Sequence, residues 1–254
     1  MNVRDVLDAV NEIAPFELAE PWDNTGLLLG SGDAPVTKVL TALDVTGPVA
    51  DEAADIGAEL IVTHHPIIYP SLKSISGGSV VYKLIRAGIS VICAHTNLDK
   101  TGGGVNDTLV AVLGLADIRP LPGNDLVRLG ELGKPLSPRG FAKLAAEKLS
   151  APGARYNDPG KPIRTVAVCG GSGAEQLYAL PGTADAFLTG ESKHRIWLDA
   201  ARLGICYIEA GHFHTENVII PVLAKRLRGM LAGVEIAQSE SCTDFTEILS
   251  LTNS

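Results

Sequence analysis

The sequence lacks the features that would place the protein in a membrane, outside the cell or on nucleic acid. Its 254 residues contain no apolar run near the ~18 residues that a membrane-spanning helix needs. The segment from Met1 to Asp5 has no basic region followed by an apolar stretch, so we expect no secretory signal and a cytoplasmic location. Lysine and arginine total 21 against 29 acidic residues, and the net charge of −8 argues against a nucleic-acid-binding surface.

Cysteine and aromatic residues are also scarce. The four cysteines form no CxxC pair, and three lie in apolar segments, which favours small buried hydrophobic side chains over disulfides or thiolate metal ligands. Aromatic residues make up only 5 %, which weakens a role in single-stranded nucleic-acid binding by base stacking. No Walker phosphate loop and no dinucleotide-binding glycine fingerprint occurs in its required context, so ATPase and dehydrogenase chemistry are not expected.

Histidine, in contrast, occurs at selected places. Each histidine lies a few residues downstream of a short apolar run that is typical of a buried strand. The six are His64, His65, His95, His194, His212 and His214. Ligands of open α/β sheets bind beyond the carboxyl ends of the strands, and imidazole is the commonest metal ligand among side chains. This distribution predicts that distant segments bring histidines into one crevice.

Strand patterns alternate with helix patterns, which predicts an α/β protein with a largely parallel sheet. Predicted strands at 39–43, 60–62 and 89–94 are followed, after an irregular segment at 115–162, by strands at 166–169, 186–189 and 205–209. Thr41 to Thr63 spans 63 − 41 = 22 residues, and the equivalent positions of the second series span 189 − 167 = 22. We therefore predict an internal duplication, with a first α/β repeat at 1–120 and a second at 121–254. Chance similarity between two ordinary βα units is the alternative.

The histidines and nearby carboxylates form a set that suits divalent metal ions. Adjacent histidines on irregular backbone can point to opposite sides, so His64 and His65 can serve different ions. Asp99 offers a carboxylate that can bridge two ions, and His212 and Glu216 share a face if a helix begins there. A set without thiolate suits Zn, Mn, Fe, Co or Ni. Two such ions can clamp a substrate oxygen and lower the pKa of a water molecule.

Four segments carry a resemblance to a known family. They are Trp22–Leu28, Thr63–Pro66, His95–Asp99 and Gly211–Glu216. In order and spacing they resemble the NIF-three-like dinuclear-metal family, whose bacterial members are often labelled GTP cyclohydrolase I type 2 homologues. The resemblance covers about residues 3 to 250. It departs after Thr189-Gly190-Glu191, where many relatives place a histidine a few residues beyond the position of His194.

The resemblance implies a fold, a ligand set and an assembly. The implied fold has two intertwined α/β repeats with mixed, mainly parallel sheets and the metal site between them, in subunits that form a hexameric ring. The implied cofactor is a pair of divalent ions. The implied ligands, with Glu216 and Asp99 shared, are His64, His65, Asp99, His212 and Glu216.

The implied activity is metal-dependent hydrolysis of a small nucleotide-like substrate, with ring opening of GTP as the family label suggests. His95 and His214 are candidates to move protons, since neither is an implied ligand, and each could instead orient a ligand. The positive side chains that could meet phosphates, or remain solvated surface charges, are Lys73, Lys100, Lys193 and Arg195. The turn at Trp22 either packs through local hydrogen bonds of Asp23 and Asn24 or contacts a substrate.

A non-enzymatic role is the alternative to hydrolysis: a metal-binding hexameric scaffold, a metal chaperone or a regulatory protein. An open coordination position separates the two hypotheses, because catalytic metals keep a site for water and structural metals do not. Five protein ligands shared by two ions leave such positions open, which favours catalysis.

Overall fold

The computed structural model describes residues 1–249 and divides the chain into two compact units. Unit 1 contains Met1–Gly104 and Ile219–Thr243. Unit 2 contains Val105–Val218 and the described residues from Asp244 onward. The bounds of these units differ from those of the predicted repeats at 1–120 and 121–254, because the chain returns to unit 1 at Ile219. The repeats describe a duplication in the sequence, which stays a prediction.

Unit 1 is a five-stranded sheet with helices. Its strands are β1 (Gly26–Leu29), β2 (Lys38–Ala42), β3 (Leu60–Thr63), β4 (Ser90–Cys93) and β11 (Glu235–Gln238). Its helices are α1 (Val3–Ile13), α2 (Gly47–Asp55), α3 (Val80–Ala87), α4 (Thr96–Lys100) and α9 (Ile219–Met230), with a 3₁₀ turn at Phe16–Leu18. The strand order is β1-β4-β3-β2-β11, and every pair except β1/β4 is parallel.

Unit 2 is a six-stranded mixed sheet. Its strands are β5 (Ala116–Leu121), β6 (Asn124–Leu136), β7 (Arg155–Tyr156), β8 (Ile163–Val168), β9 (Ala186–Thr189) and β10 (Cys206–Glu209). Its helices are α5 (Val105–Val112), α6 (Pro138–Lys148), α7 (His194–Leu203) and α8 (His212–Glu216), with a 3₁₀ segment at Gly173–Ala179. The order is β5-β6-β8-β9-β10-β7, in which β8, β9 and β10 are parallel and the outer pairs are antiparallel.

The predicted α/β class is confirmed, and local signals explain several element ends. Helix α1 begins at Val3 because the Asn2 side chain accepts from the Asp5 amide while the Asp5 carboxylate accepts from the Asn2 amide. Helix α6 begins after Ser137, whose hydroxyl accepts from the Gly140 amide. Helix α3 ends at Gly88, whose φ of 70° suits glycine.

The central strands of the two units show a repeated topology. Thr63 pairs with Cys93 across β3/β4, and Thr189 pairs with Glu209 across β9/β10. The register of the preceding strand pair differs by one residue between the units. Ala42 of β2 pairs with Thr63 of β3, a separation of 63 − 42 = 21 positions. Val168 of β8 pairs with Leu188 of β9, a separation of 188 − 168 = 20 positions. The equal spacing in sequence is therefore not an equal hydrogen-bond register.

The segment at 115–162 holds more structure than the sequence indicated. A short strand-like piece at 126–132 is, in the structure, the 13-residue strand β6 beside β5. Glycine and proline inside β6 obscure its apolar pattern, as at Gly130, where a Cβ atom would lie 2.8 Å from that of Leu115. Long-range pairing with β8 therefore decides the length of β6.

Both faces of the central strands of unit 2 are buried. Ala186 and Leu188 of β9 pack in one hydrophobic cluster, which includes Phe141 of α6. Phe187, between them, packs in a second cluster with Tyr207 of β10. Strands that are covered on both faces read as continuous apolar runs, and this is why they could be recognised from sequence.

The cysteines have the role that the sequence favoured. Cys93, Cys169 and Cys206 are buried free thiols, and burial raises the pKa of Cys206 to about 12. Within residues 1–249, no helix combines the length and the apolar character needed to cross a membrane.

The carboxylate of Glu52 on α2 holds the chain beyond β11 and gives a pH-dependent prediction. It accepts hydrogen bonds from the Ser239 hydroxyl and from the amides of Glu240 (2.9 Å) and Ser241 (3.1 Å). Burial alone would raise the pKa of Glu52, yet these hydrogen bonds hold it below its ordinary value. A lowered folded-state pKa contributes stability above the unfolded-state pKa, and this contribution disappears as the pH falls through the folded-state pKa.

We therefore expect Glu52→Gln to lower the free energy of unfolding by about 1 kcal/mol at neutral pH, since hydrogen bonds to a charged acceptor are lost. The difference from the unmodified protein should shrink below about pH 4. Denaturant titrations at several pH values measure it, with Glu12→Gln at an exposed position of α1 as the control. A difference that stays constant down to acid pH would contradict the assignment.

Candidate metal centre

The two adjacent histidines continue the hydrogen-bond ladder of β3. The amides of His64 and His65 donate to the carbonyls of Ala42 (3.3 Å) and Leu43 (2.9 Å). The Thr63 hydroxyl donates to the carbonyl of Leu43 at 2.8 Å. The backbone that carries both imidazoles is thus held by hydrogen bonds to the end of β2, and the two rings lie beside one another with centroids 5.1 Å apart.

Each of these imidazoles is oriented through its Nδ1 atom. His64 is fully buried, and its Nδ1 donates to the carbonyl oxygen of Ala94 at 2.9 Å. His65 is half-buried, and its Nδ1 donates to the carboxylate of Asp44 at 2.7 Å. A carbonyl or carboxylate oxygen on Nδ1 selects the tautomer in which Nε2 carries the lone pair. Both rings therefore present Nε2 as the ligating atom.

Asp99 lies beside this pair. It belongs to the short helix α4, and its Oδ1 is 3.6 Å from Nε2 of His64. Its amide donates to the carbonyl of His95 at 3.1 Å, so the turn after β4 fixes its position. The structure thus brings three of the five predicted ligands together in unit 1.

His95 joins the same group. The ring centroids of His64 and His95 are 5.2 Å apart, and those of His65 and His95 are 5.7 Å apart. Each of the three rings offers a nitrogen, and these atoms lie within 4.8 Å of one another. The position of His95 therefore suits proton transfer and metal ligation alike.

A buried carboxylate in the turn at Trp22 orients His95. Asp23 is wholly buried at its side chain, and its Oδ1 accepts from Nδ1 of His95 at 2.8 Å and from the Asn24 amide at 2.8 Å. Its Oδ2 accepts from the amide of Thr96 at 3.0 Å and from the Thr96 hydroxyl. Burial alone would raise the pKa of Asp23, but the hydrogen bonds from His95 and Thr96 hold it well below its ordinary value.

The sequence carried a signal for both orienting aspartates. Asp44 follows the end of β2 by two residues, at the sheet edge where the histidines lie. Asp23 lies within the first of the segments on which the resemblance depends. Carboxylates at strand ends or in shared segments can be expected to hold metal-ligating imidazoles, but sequence spacing could not show which histidine each would reach.

Unit 2 carries a histidine–glutamate pair on α8. Nε2 of His212 lies 2.9 Å from Oε2 of Glu216, so the predicted helical spacing is confirmed. Nδ1 of His212 contacts Oε1 of Glu191 at 3.1 Å, and the Ser172 hydroxyl donates to that oxygen at 2.8 Å. The hydrogen bond from His212 lowers the pKa of Glu191, against the opposing effect of burial. Glu191 is thus a third orienting carboxylate.

Glycines allow the turns of unit 2 to approach this pair. Gly190 and Glu191 donate their amides to the carbonyl of Gly171 at 2.9 and 3.0 Å. A Cβ atom at Gly190 would lie 2.6 Å from that carbonyl oxygen and 2.8 Å from Cα of His212. Only glycine fits a backbone approach as close as this.

The remaining predicted residues have other surroundings. His214 lies 3.0 Å from Oδ2 of Asp244, at a cavity of about 310 Å³ that Arg155 and Glu209 also line. The Asp244 carboxylate beside its ring makes His214 a candidate to hold or move a proton. His194 begins α7 and is exposed. Among the proposed phosphate contacts, Lys100 pairs with Glu20, Arg195 with Glu175, and Lys73 and Lys193 are exposed.

The fold and these side chains define a two-sheet α/β protein with a histidine- and carboxylate-rich candidate metal centre. The family model described as Duf34/NIF3 (NGG1p interacting factor 3) matches residues 1–244. The chain therefore belongs to the Duf34/NIF3 family, and the predicted resemblance is confirmed.

Individual relatives agree with this assignment. The chain is 33 % identical to a "GTP cyclohydrolase 1 type 2 homolog" of Clostridium perfringens, over 98 % of this chain and all of the relative. It is 38 % identical to a protein of the same name from Streptomyces coelicolor, over 84 % and 80 % of the two chains.

Solved structures share the fold. A hypothetical protein of Staphylococcus aureus has a TM-score of 0.90 at 28 % identity, over 98 % of this chain and 99 % of its own. A Bacillus cereus protein described as related to NIF3 has a TM-score of 0.91 over the same shares of the two chains. At 24 % identity, the second likeness concerns the fold alone.

The geometry of Gly171 generates a prediction about the pair on α8. Its φ is +56°, and a Cβ atom there would overlap Oε1 of Glu216 and lie 3.0 Å from Nε2 of His212. We expect Gly171→Ala to displace this candidate ligand pair and to weaken divalent-metal affinity by about 10–100-fold. Metal titration monitored by calorimetry measures the change.

Gly182→Ala is the matched control. Gly182 has a φ of +76° and no neighbour within 4 Å of a Cβ atom, so the substitution adds only the backbone strain of a left-handed residue. Equal metal affinities in the two variants would show that the space beside Glu216 has no part in metal binding.

Proposed function

We propose that the chain is a dinuclear metal-dependent hydrolase that opens a ring of a nucleotide-like substrate, in the manner that the label GTP cyclohydrolase I type 2 indicates. The proposed ligands are His64, His65, Asp99, His212 and Glu216. The observation that carries the proposal is the common orientation of the imidazoles, each held at Nδ1 by an oxygen of the protein. The names of the curated relatives support the substrate class.

The donor set fits divalent ions. Imidazoles that turn Nε2 toward nearby carboxylates form a nitrogen and oxygen donor set that Zn, Mn, Fe, Co and Ni accept. The Asp44 and Glu191 carboxylates hold their histidines in the ligating tautomer, a support commonly found around metal sites. Structural cores have no need of imidazoles aligned in this way.

Bound ions of this kind would polarise the substrate and lower the pKa of water at the site. The protein's own contribution is to fix the ligands and to manage protons. Asp23 keeps a proton on Nδ1 of His95 and makes Nε2 the basic atom. With Nδ1 held by this carboxylate, His95 can accept and return a proton at Nε2, so the pair is suited to general acid–base catalysis.

His214 is the second candidate for proton transfer. Its Nε2 faces the Asp244 carboxylate at 3.0 Å, and the pair borders the cavity in unit 2. Burial alone would raise the pKa of Asp244, but hydrogen bonds from Thr246 and the contact with His214 hold it below its ordinary value.

A metal-binding scaffold without turnover is the second candidate function, and one observation favours it. The ligating nitrogen of His95 lies in the same 4.8 Å group as those of His64 and His65. A third imidazole on an ion would occupy a coordination position that water could otherwise take, and sites closed to water are structural. The hexameric ring that the resemblance implies suits either function and stays a proposal.

The first prediction concerns metal content. Reconstituted protein should carry about two divalent ions per chain, as a dinuclear centre requires. Glu216→Ala should lose most of both, because this carboxylate is proposed to be shared. Elemental analysis after dialysis measures the ions, with Glu147→Ala on the exposed face of α6 as the control. Only trace metal in fully reconstituted protein would refute the dinuclear centre.

The second prediction separates hydrolase from scaffold. If His95 moves protons, His95→Gln should retain both ions while turnover of GTP falls by about 10²–10⁴. The pH–rate profile should lose one limb, since histidine ordinarily titrates between about pH 5 and 8. His194→Gln, at the exposed start of α7, is the matched control. A His95→Gln protein that loses metal would instead assign His95 as a ligand.

A further inference from the structure

Two large aromatic side chains of unit 1 are exposed and in contact. Trp22 and Tyr69 are 57 % and 58 % exposed, and their ring centroids are 6.1 Å apart with an angle of 60° between the planes. Such rings usually bury their area in a core or an interface. An adjacent exposed pair is therefore a feature that requires an explanation.

The backbone around Trp22 is held on both sides. The Asp23 amide donates to the carbonyl of Glu20 at 2.9 Å, and the Glu20 amide donates to the Thr96 hydroxyl at 2.9 Å. Asp23 itself is locked in its hydrogen bonds with the turn after β4. The exposed ring is thus presented from a rigid turn, which reduces the entropy lost when a ligand stacks on it.

A direct hydrogen bond joins the two loops that carry the rings. The Nδ2 atom of Asn24 donates to the carbonyl oxygen of Ile68 at 2.7 Å, one residue before Tyr69. The Trp22 turn and the Tyr69 loop therefore keep a fixed relation to one another. The pair has the properties of a preformed surface, which we call the aromatic platform and define as the rings of Trp22 and Tyr69.

The aromatic platform adjoins the histidines. The ring of Trp22 meets that of His95 edge-on, with centroids 6.4 Å apart and an angle of 76°. The ring of His95 in turn lies 5.2 Å from that of His64. A planar ligand stacked on the platform would therefore have its edge next to the imidazole that Asp23 orients.

The Tyr69 loop belongs only to the first series of strands. Residues 64–79 connect β3 to α3, whereas residues 190–193 connect β9 to α7. Besides Tyr69, this longer connection supplies Leu72, which lines a cavity of about 370 Å³ together with His65 and Asp44. The additional residues therefore contribute both to the aromatic platform and to a cavity that His65 lines.

We propose that the aromatic platform binds the planar heteroaromatic ring of the substrate, which stacks on Trp22 and meets the inclined ring of Tyr69 at its edge, a purine base being the fitting class. This inference rests on the proposed function for the chemistry beside it and adds how the substrate is held. A base has a π-face that can stack on Trp22 and polar edge atoms that can hydrogen-bond to His95. An aliphatic ligand would offer neither of these contacts. Stacking tolerates any base, so purine nucleotides are suitable probes.

The test measures binding, with GMP as probe and ribose 5-phosphate as the same ligand without its base. Calorimetry gives the dissociation constant. Tryptophan fluorescence reports stacking on Trp22, with excitation on the long-wavelength side of the tryptophan absorption band, where the base absorbs little. GMP should bind and quench, and ribose 5-phosphate should do neither. Trp22→Ala and Tyr69→Ala should each weaken GMP binding about 5- to 150-fold, which is about 1–3 kcal/mol at about 1.4 kcal/mol per tenfold.

Conservative variants separate stacking from folding. Trp22→Phe should keep most of the affinity, because a ring face remains, while the fluorescence quenching disappears. Tyr178→Ala is the control: Tyr178 is also exposed, at 45 %, and hydrogen-bonds to Asp199 on α7 in unit 2. It should leave the affinity unchanged. Circular dichroism and light scattering confirm that each variant keeps the fold and assembly of the unmodified protein.

Other outcomes overturn the inference and leave the proposed function separately testable. Equal binding of GMP and ribose 5-phosphate, or no binding of GMP to metal-replete protein, would remove the platform as a base site while the metal centre stands. Base-dependent binding that needs Trp22 in a chain that takes up no metal would retain the platform and refute the hydrolase. A Trp22→Ala protein of altered mass with undiminished GMP affinity would make the platform a contact between copies of the chain.

Discussion

The buried carboxylate of Asp23 is the interaction on which much of the candidate site in unit 1 depends. It receives hydrogen bonds from its own turn at Asn24, from the backbone and side chain of Thr96, and from the imidazole of His95. A buried carboxylate without such partners would be strongly disfavoured, so these contacts must form together. They join the turn that presents Trp22 to the turn that begins α4 and carries Asp99. The ring surface, the proton-carrying imidazole and a proposed ligand thus share one anchor.

The two units place their candidate site residues by different means just past the central strands of their sheets. In unit 1, aspartates and a carbonyl orient three histidines, and side chains fill the space at the edge of the sheet. In unit 2, the corresponding turns contain Gly170, Gly171 and Gly190, whose backbones approach one another and the α8 pair closely. A repeated strand topology can therefore serve unlike chemistry, because the residues just past the strands decide what occupies the edge.

Catalysis and metal storage make different demands on these same residues. A scaffold requires ligands alone, and the orientation of His64, His65 and His212 would satisfy it. The pairing of His95 with a fully buried, ionised aspartate and the exposed rings beside it are features that a scaffold does not need. Together these features favour an enzyme with a site for a planar substrate. The two hypotheses differ in the role of His95, which moves protons in the enzyme and binds metal in the scaffold.

Local sequence determined the elements whose signals are local. The capping box of α1, the Ser137 cap, the glycine end of α3 and the apolar central strands were all predictable, because each depends on neighbouring residues or on burial of both strand faces. The spacing of His212 and Glu216 was readable for the same reason. Pairing between strands that are distant in sequence could not be predicted from local patterns. The full length of β6 and the one-residue difference in strand register both depend on such pairing. Only the tertiary structure decided that Asp23 reaches His95, 72 positions away, and that Asp44 reaches His65. A hydrogen bond between distant segments depends on where the fold places them, and no local pattern encodes that distance.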